Sequence, residues 1–428
     1  MILTRRSFLG GFAASLWGFC STASRAASES LALRVEPFAA RLGYNGDSPG
    51  PLLRLRSGAS LRLDFENALT EPTALSFPGL RAENAALFAG KPRIAANEKR
   101  SFVLAPPESG FNIYGAVLGP DPGRQFARGL YGPLIVEEPA PPDVDLEVIA
   151  LVSDWRYDPS GVLNLGDEMA EGRQGGRLGD ALTVKGAPIP AHFVAPPGGR
   201  VRLRLANCAT ARIMSVAFND FAPQVIAVDG QPSEVFSPRH NLLPVVPGAR
   251  FELIFDVPRI EGAEVRVLLK TGEAVEPALL IVTAHGELAR DRSSFAGLPA
   301  NPALPKEIAL ERARRVNLTI TGGGAAPLKF EGVPAAGPAF TAKRGEPVAL
   351  AFANKTPYPQ TIRLTGHVAR VLHELDDGWE PYWRDIFAIP PGKSLHAAFV
   401  ADNPGLWPLE SASPECRAAG LATRFQVD

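Results

Sequence analysis

The residues able to do chemistry are few and scattered. The six histidines, His192, His240, His285, His367, His373 and His396, include no His-x-His pair, so no two neighbouring imidazoles are offered to a metal. His367 follows Gly366 and reads as a buried, hydrogen-bonded imidazole, since one histidine alone cannot hold a metal cluster. Of the three cysteines, Cys208 and Cys416 lie beyond the N-terminal segment. They could pair in an oxidising compartment, but two thiols do not make a disulfide framework. Cys416 stands between Pro414 and Arg417 with no second soft ligand beside it, and reads as a packing thiol. His373-Glu374-Leu375-Asp376-Asp377 carries carboxylates without the loop spacing or fixed glycine of a calcium site, and reads as a solvated loop. Trp379-Glu380-Pro381-Tyr382-Trp383 sets three aromatics within five residues, the composition of a docking surface or, equally, of packing at a domain edge. Nucleophile elbow, phosphate loop, dinucleotide fingerprint and zinc-helix motif are all missing from the sequence. Gly322-Gly323-Gly324 reads as a turn.

The elements that must position these residues are strands. Leu61 to Phe65, Val201 to Leu205, Phe251 to Phe255 and Val316 to Ile320 alternate apolar and polar side chains at the period of a half-buried strand. Pro-Pro-Gly-Gly at 196–199, Val-Pro-Gly at 246–248 and Pro-Pro-Gly at 390–392 each precede such a strand, where an antiparallel sandwich needs tight turns. Gly and Pro number 41 each in 428 residues, which fits many short elements joined by turns. One amphipathic helix is expected over 305–314, and 161–179 reads as a glycine-rich hairpin or loop. A sequence echo recurs about every 140 residues: glycine-led strands end at Asn67, Asn207 and Asn354, suggesting three copies of one β unit.

Charge is balanced, with 44 Lys and Arg against 45 Asp and Glu, so no basic field exists to recruit nucleic acid. At the N-terminus, Arg5-Arg6 precedes an apolar stretch over 8–19, and Ser24-Arg25-Ala26 supplies small residues at a cleavage site. This reads as a twin-arginine signal cut after Ala26. The stretch is shorter than the roughly 20 residues that span a bilayer, and Cys20 lacks the small residue that precedes a lipidated cysteine. The expected location is the periplasm, with no membrane span after cleavage.

Several runs resemble the multicopper oxidase superfamily. Gln125-Phe-Ala-Arg-Gly-Leu-Tyr-Gly-Pro-Leu-Ile-Val-Glu137 is similar to the end of its first cupredoxin domain. Val228-Asp-Gly-Gln-Pro232 and Val246-Pro-Gly-Ala-Arg-Phe-Glu-Leu253 resemble its second, and Trp383-Arg-Asp385, Ile389-Pro-Pro-Gly392 and Ala401-Asp-Asn-Pro-Gly-Leu-Trp407 its third. The resemblance implies an all-β chain of three tandem cupredoxin-like Greek-key β-sandwich domains, over 27–142, 143–292 and 293–428, after a signal at 1–26.

It does not carry over the copper. The family's histidine, cysteine and methionine ligands align with Ser76, Pro78, Tyr114, Ala116, Gln360, Arg363, Thr365, Glu410, Ser411, Ala412, Cys416 and Leu421. No cofactor, metal site or catalytic residue is therefore expected. Arg363 and Glu410, entering neighbouring positions, are candidates for a buried pair. This pattern resembles the copper-less branch of the superfamily, which serves cell division. It implies a monomeric, non-catalytic periplasmic scaffold binding other periplasmic proteins, those of the division machinery among them, with Trp379, Tyr382 and Trp383 as candidate partner surface. The alternative is a copper-binding oxidoreductase with a rebuilt metal site, and a binder of wall polymer is left open.

Overall fold

A computed structural model of the chain describes residues 29–82, 93–116, 123–218, 221–334, 336–372 and 378–428. The expected signal at 1–26 and the acidic run at 373–377 lie outside the described residues.

The chain folds as three tandem β-sandwiches, each built on the same parallel seam. Glu29–Phe38 pairs in parallel with Leu61–Asn67, so that Val35 faces Asn67. Leu146–Trp155 pairs likewise with Arg200–Asn207, and Val152 faces Asn207. Arg314–Gly323 pairs with Glu346–Asn354, and Ile320 faces Asn354. An antiparallel strand then flanks each seam: Lys99–Leu104, Arg250–Asp256 and Ser394–Ala401 respectively. A second sheet closes each sandwich, with three strands among the described residues of the first and five in each of the others. Alternation builds the cores. Leu61, Leu63 and Phe65 point inward while Arg62 and Asp64 face out, and the apolar residues of Glu346–Asn354 follow the same rule.

The three echoing asparagines perform one task. Each ends its strand, and each is buried, at 0%, 1% and 0% exposure. Asn67 Oδ1 accepts the N–H of Leu69 at 3.0 Å, while its Nδ2 donates to Glu71 O and Ile94 O. Asn207 takes the N–H of Ala209 and donates to Arg212 O and Val245 O. Asn354 takes the N–H of Thr356 and donates to Tyr358 O and Ile389 O. Only a side chain with both a donor and an acceptor can clasp a turn to the next strand in this way.

Two expectations need correction. Arg200–Asn207 is buried on both faces, not one, because its polar face is covered by a ladder of ion pairs. Arg202 bonds Glu252 (2.9 Å) and Glu138, and Arg204 bonds Glu147 (2.8 Å), which also takes Arg54 of the first sandwich. Alternating Arg and Leu thus reads correctly as a strand, but sequence does not show that the outer face lies under another body. Nor is 305–314 a helix. Only Leu310–Arg312 makes a single 3-10 turn, and the strand begins at Arg314, since Arg314, Val316, Leu318 and Ile320 complete a seam that outweighs local helical propensity. The 161–179 loop contains a short helix, Glu168–Arg173, capped by Asp167, whose carboxylate accepts the N–H of Ala170.

Candidate functional site

Three of the recognised motifs, far apart in sequence, converge where the sandwiches meet. Gln224–Val228 and Gln231–Phe236 are joined by the two-residue turn Asp229-Gly230, with φ of 48° and 79°, the left-handed pair that Asp-Gly supplies readily. That turn places Asp229 beside Arg250, whose backbone N–H donates to Asp229 Oδ1 at 2.9 Å. Arg250 Nη2 donates to Asp229 O at 3.0 Å and to Asp385 Oδ2 at 2.9 Å, and its Nη1 to Gly248 O at 2.8 Å. Asp229 Oδ2 accepts the N–H groups of Asp385 and Ile386 at 3.1 and 3.2 Å. Arg250 and Asp385 are each 1% exposed, so the second and third sandwiches are joined by a fully desolvated pair. Burial disfavours the Arg250 charge, but Asp385 and Asp229 outweigh it and leave the guanidinium's pKa raised. Burial likewise pushes the Asp385 carboxyl up, with Asp229 adding to the shift against the opposing pull of Arg250.

The first sandwich abuts the same point. A Cβ on Gly79 would lie 2.1 Å from Asn112 Oδ1 and 2.8 Å from Arg250 Nη2, so only glycine fits there. None of the three junction residues was singled out for function from the sequence, although the motifs that contain them were legible.

The positions aligned with copper ligands fall in the first and third sandwiches, and all are buried. Ser76 Oγ donates to Gly115 O at 2.9 Å and Tyr114 Oη to Pro51 O at 2.7 Å, while Pro78, Ala116, Ala412 and Leu421 are buried packing. Gln360 Nε2 donates to Thr356 Oγ1, and Ser411 Oγ to Thr361 O. The Cys416 thiol reaches Gly172 O at 3.5 Å, and burial pushes its pKa up to about 12, so it remains a thiol. Cys208 is also free and buried. The expected Arg363–Glu410 pair is not made. The two residues face each other across the ladder between Gln360–Leu364 and Gly405–Ser411, but the Glu410 carboxylate lies 3.6 Å from Arg417 instead.

Hydroxyls, an amide, a protonated thiol and a buried guanidinium are not donors for copper, which seeks imidazole and thiolate. The residues present do not fit a blue copper or a three-copper cluster. His367 gives no substitute. Its Nε2 accepts the N–H of Asn403 at 3.3 Å, its ring packs against Phe399, Trp407 and Phe425, and burial lowers its pKa to about 3. It is a neutral core histidine.

The three candidate surface aromatics divide. Trp383 is buried beneath the Arg370 guanidinium, which stacks at 5.0 Å. Tyr382 is half-buried and stacks on Phe236 of the second sandwich at 5.3 Å, so it packs between bodies. Trp379 lines an open groove of about 270 Å³ on the outer face of the third sandwich, whereas Trp383 borders a different groove, beside Pro232, Gly297 and Pro305. The floor of that groove follows from register: Asn317, Ala351 and His396 form one rung, and Arg315, Ala349 and Ala398 the next. Alanines in the central strand leave a trough, with Trp379 bridged to Leu372 as one wall.

Comparison with known proteins accords with this architecture. Two family models, both described as multicopper oxidase, match residues 302–428 and 30–141, together more than half of the chain. The chain belongs to the multicopper oxidase superfamily. Within the superfamily it is similar to the multicopper oxidase MmcO of Mycobacterium tuberculosis, at 26% identity over 91% of this chain and 83% of that protein. It is also similar to the cell division protein FtsP of Yersinia pestis, at 31% identity over 54% of this chain and 48% of that one. FtsP is thus matched over about half its length. Among solved structures, a multi-copper oxidase from Pseudomonas thermotolerans superposes with a TM-score of 0.82, at 26% identity, over 94% of this chain and all of that one.

Proposed function

We propose that the protein is a non-catalytic scaffold of multicopper-oxidase fold, acting in the periplasm and supporting or protecting the cell division machinery. One observation carries this reading: none of the positions aligned with the family's copper ligands carries an imidazole, and one of them, Arg363, is a buried guanidinium. The similarity to FtsP supports division as the setting, and Arg5-Arg6 supports twin-arginine export. Trp379 and its groove are the proposed partner surface, with Tyr382 and Trp383 holding that segment in place. The second reading, an oxidoreductase with a rebuilt metal site, draws on the match to MmcO across most of the chain. Copper titration of the purified protein, with metal analysis and visible absorbance, separates the two. The scaffold reading expects no stoichiometric copper and background oxidation of phenols, and a blue species with one bound copper per chain refutes it.

A further inference from the structure

Gln231–Phe236 is the outermost strand of its sheet and pairs on one side only, with Gln224–Val228. Among the described residues no strand pairs with its other edge. The chain that leads into the third sandwich, over 296–306, runs alongside: Asn301 Nδ2 donates to Gln231 Oε1 at 2.9 Å, and a Cβ on Gly297 would lie 3.1 Å from Val235 Cγ2. No backbone hydrogen bond among the described residues joins the two. Pro299, Pro302 and Pro305 have no N–H to donate, so this segment cannot serve as the next strand. Between it and residues 232–235 lies a groove of about 560 Å³, completed by Arg370, Pro381 and Trp383 of the third sandwich, a volume within the roughly 300–1,000 Å³ of sites that bury a ligand.

Two polar groups lining this groove lack partners. Ser233 is 7% exposed, and its hydroxyl is buried without a hydrogen bond. Arg370 makes no hydrogen bond or ion pair with the described residues, and its Nε is sealed without an acceptor. The Arg370 guanidinium stacks on Trp383 at 5.0 Å, which engages its face and leaves the in-plane N–H groups for a carboxylate. Glu380 does not supply one, being taken by Arg384 at 2.7 Å. The other charged residues lining the groove, Glu234 and Lys306, are both exposed, so two cations stand there against one carboxylate.

An open strand edge presents N–H and C=O groups in a row that another extended backbone matches, and an unpaired guanidinium beside it favours an acidic side chain on that backbone. We infer that the groove takes an extended segment of a partner protein, added as a strand to the free edge of Gln231–Phe236, with an Asp or Glu side chain on Arg370. This surface is separate from the groove at Trp379 and does not depend on the division role: copper titration decides the scaffold reading, peptide binding decides this one, and either can fail alone.

The test selects from a library of random peptides of about ten residues, the length of a long strand, on the purified full chain. The enriched peptides, made synthetically, should need an Asp or Glu for binding, should slow backbone amide exchange within 231–236, and should bind Arg370→Met about tenfold or more weaker than wild type. Lys306→Glu, at an exposed position, should also weaken them, and keeps the measurement decisive if R370M does not fold. The inference is overturned if no peptide is enriched, if the enriched peptides bind both variants as tightly as wild type, or if their binding leaves exchange within 231–236 unchanged. It is equally overturned if that exchange is slowed by soluble wall-glycan fragments, or by raising the concentration of the protein alone, and by no peptide.

Discussion

Replacing Arg250 by methionine removes the centre of the bolt between the second and third sandwiches while keeping most of the side-chain volume. Three hydrogen bonds are lost, to Gly248 O (2.8 Å), Asp229 O (3.0 Å) and Asp385 Oδ2 (2.9 Å). Bonds to a charged group are worth about 1.5–3 kcal/mol each, or roughly 4–9 kcal/mol together. Releasing the desolvation cost of the guanidinium offsets several kcal/mol of that, and orphaning one member of a buried pair costs about 3–5 kcal/mol net. The loss should depend on pH with a definite sign. Asp385 has its carboxyl pushed up to about 7 in the folded state by burial, Asp229 adding to this and Arg250 opposing it. A carboxyl raised above its unfolded value binds more protons when folded, so its contribution to stability falls as pH rises between the ordinary carboxylate range and that raised value. Without Arg250 the Asp385 carboxyl rises further, because its main compensating charge is gone. Urea unfolding followed by tryptophan fluorescence at pH 5 and pH 8 should therefore show R250M destabilised at both, and more at pH 8. A loss below about 1 kcal/mol, or a larger loss at pH 5, would refute the reasoning.

Asn354→Ala removes two donated and two accepted bonds from a buried clasp and should cost about 2–4 kcal/mol, read as a lowered urea midpoint; a change within error would show the clasp to be dispensable. Trp383→Ala should lower stability by about 3–5 kcal/mol because it empties a buried site, whereas Trp379→Ala should leave the thermal midpoint nearly unchanged yet reduce cross-linking to periplasmic division proteins. If the two variants behave alike, Trp379 belongs to the core and the partner surface lies elsewhere. Substituting Lys for both Arg5 and Arg6 should leave a folded protein in the cytoplasm on fractionation, and export of that double variant would exclude the twin-arginine route.

The fold was legible because its signals are local. Leu61-Arg-Leu-Asp-Phe65 announces a strand and its buried face by alternation alone, and the echo ending in Asn67, Asn207 and Asn354 marks one clasp used three times. That the positions aligned with copper ligands carry no imidazole is legible too, since it is a matter of residue type. What sequence could not show is which groups meet across bodies. Asp229, Arg250 and Asp385 lie in three separate motifs, and nothing local in any of them says that the other two complete it. Arg363 and Glu410 appeared suited to pair, and they do face each other, but Arg417, carried on the short helix Pro414–Ala418, takes the carboxylate. The division of Trp379 from Trp383 has the same cause. Four residues apart in an irregular segment, they lie on no repeating face, and tertiary packing alone decides which one is covered.

The asparagine clasps bear on the order in which the molecule is assembled. Every carbonyl that Asn67, Asn207 or Asn354 engages lies within its own sandwich, so each seam can be latched before its neighbours have formed. The junction charges cannot be satisfied so early, because Arg250 finds Asp385 only when two finished bodies dock. Until then these groups remain hydrated and mutually attractive over about a Debye length. The last stage of folding is then an encounter between preformed modules, steered by charge and slowed by salt, while the earlier stages are driven by apolar burial and proceed largely without regard to ionic strength.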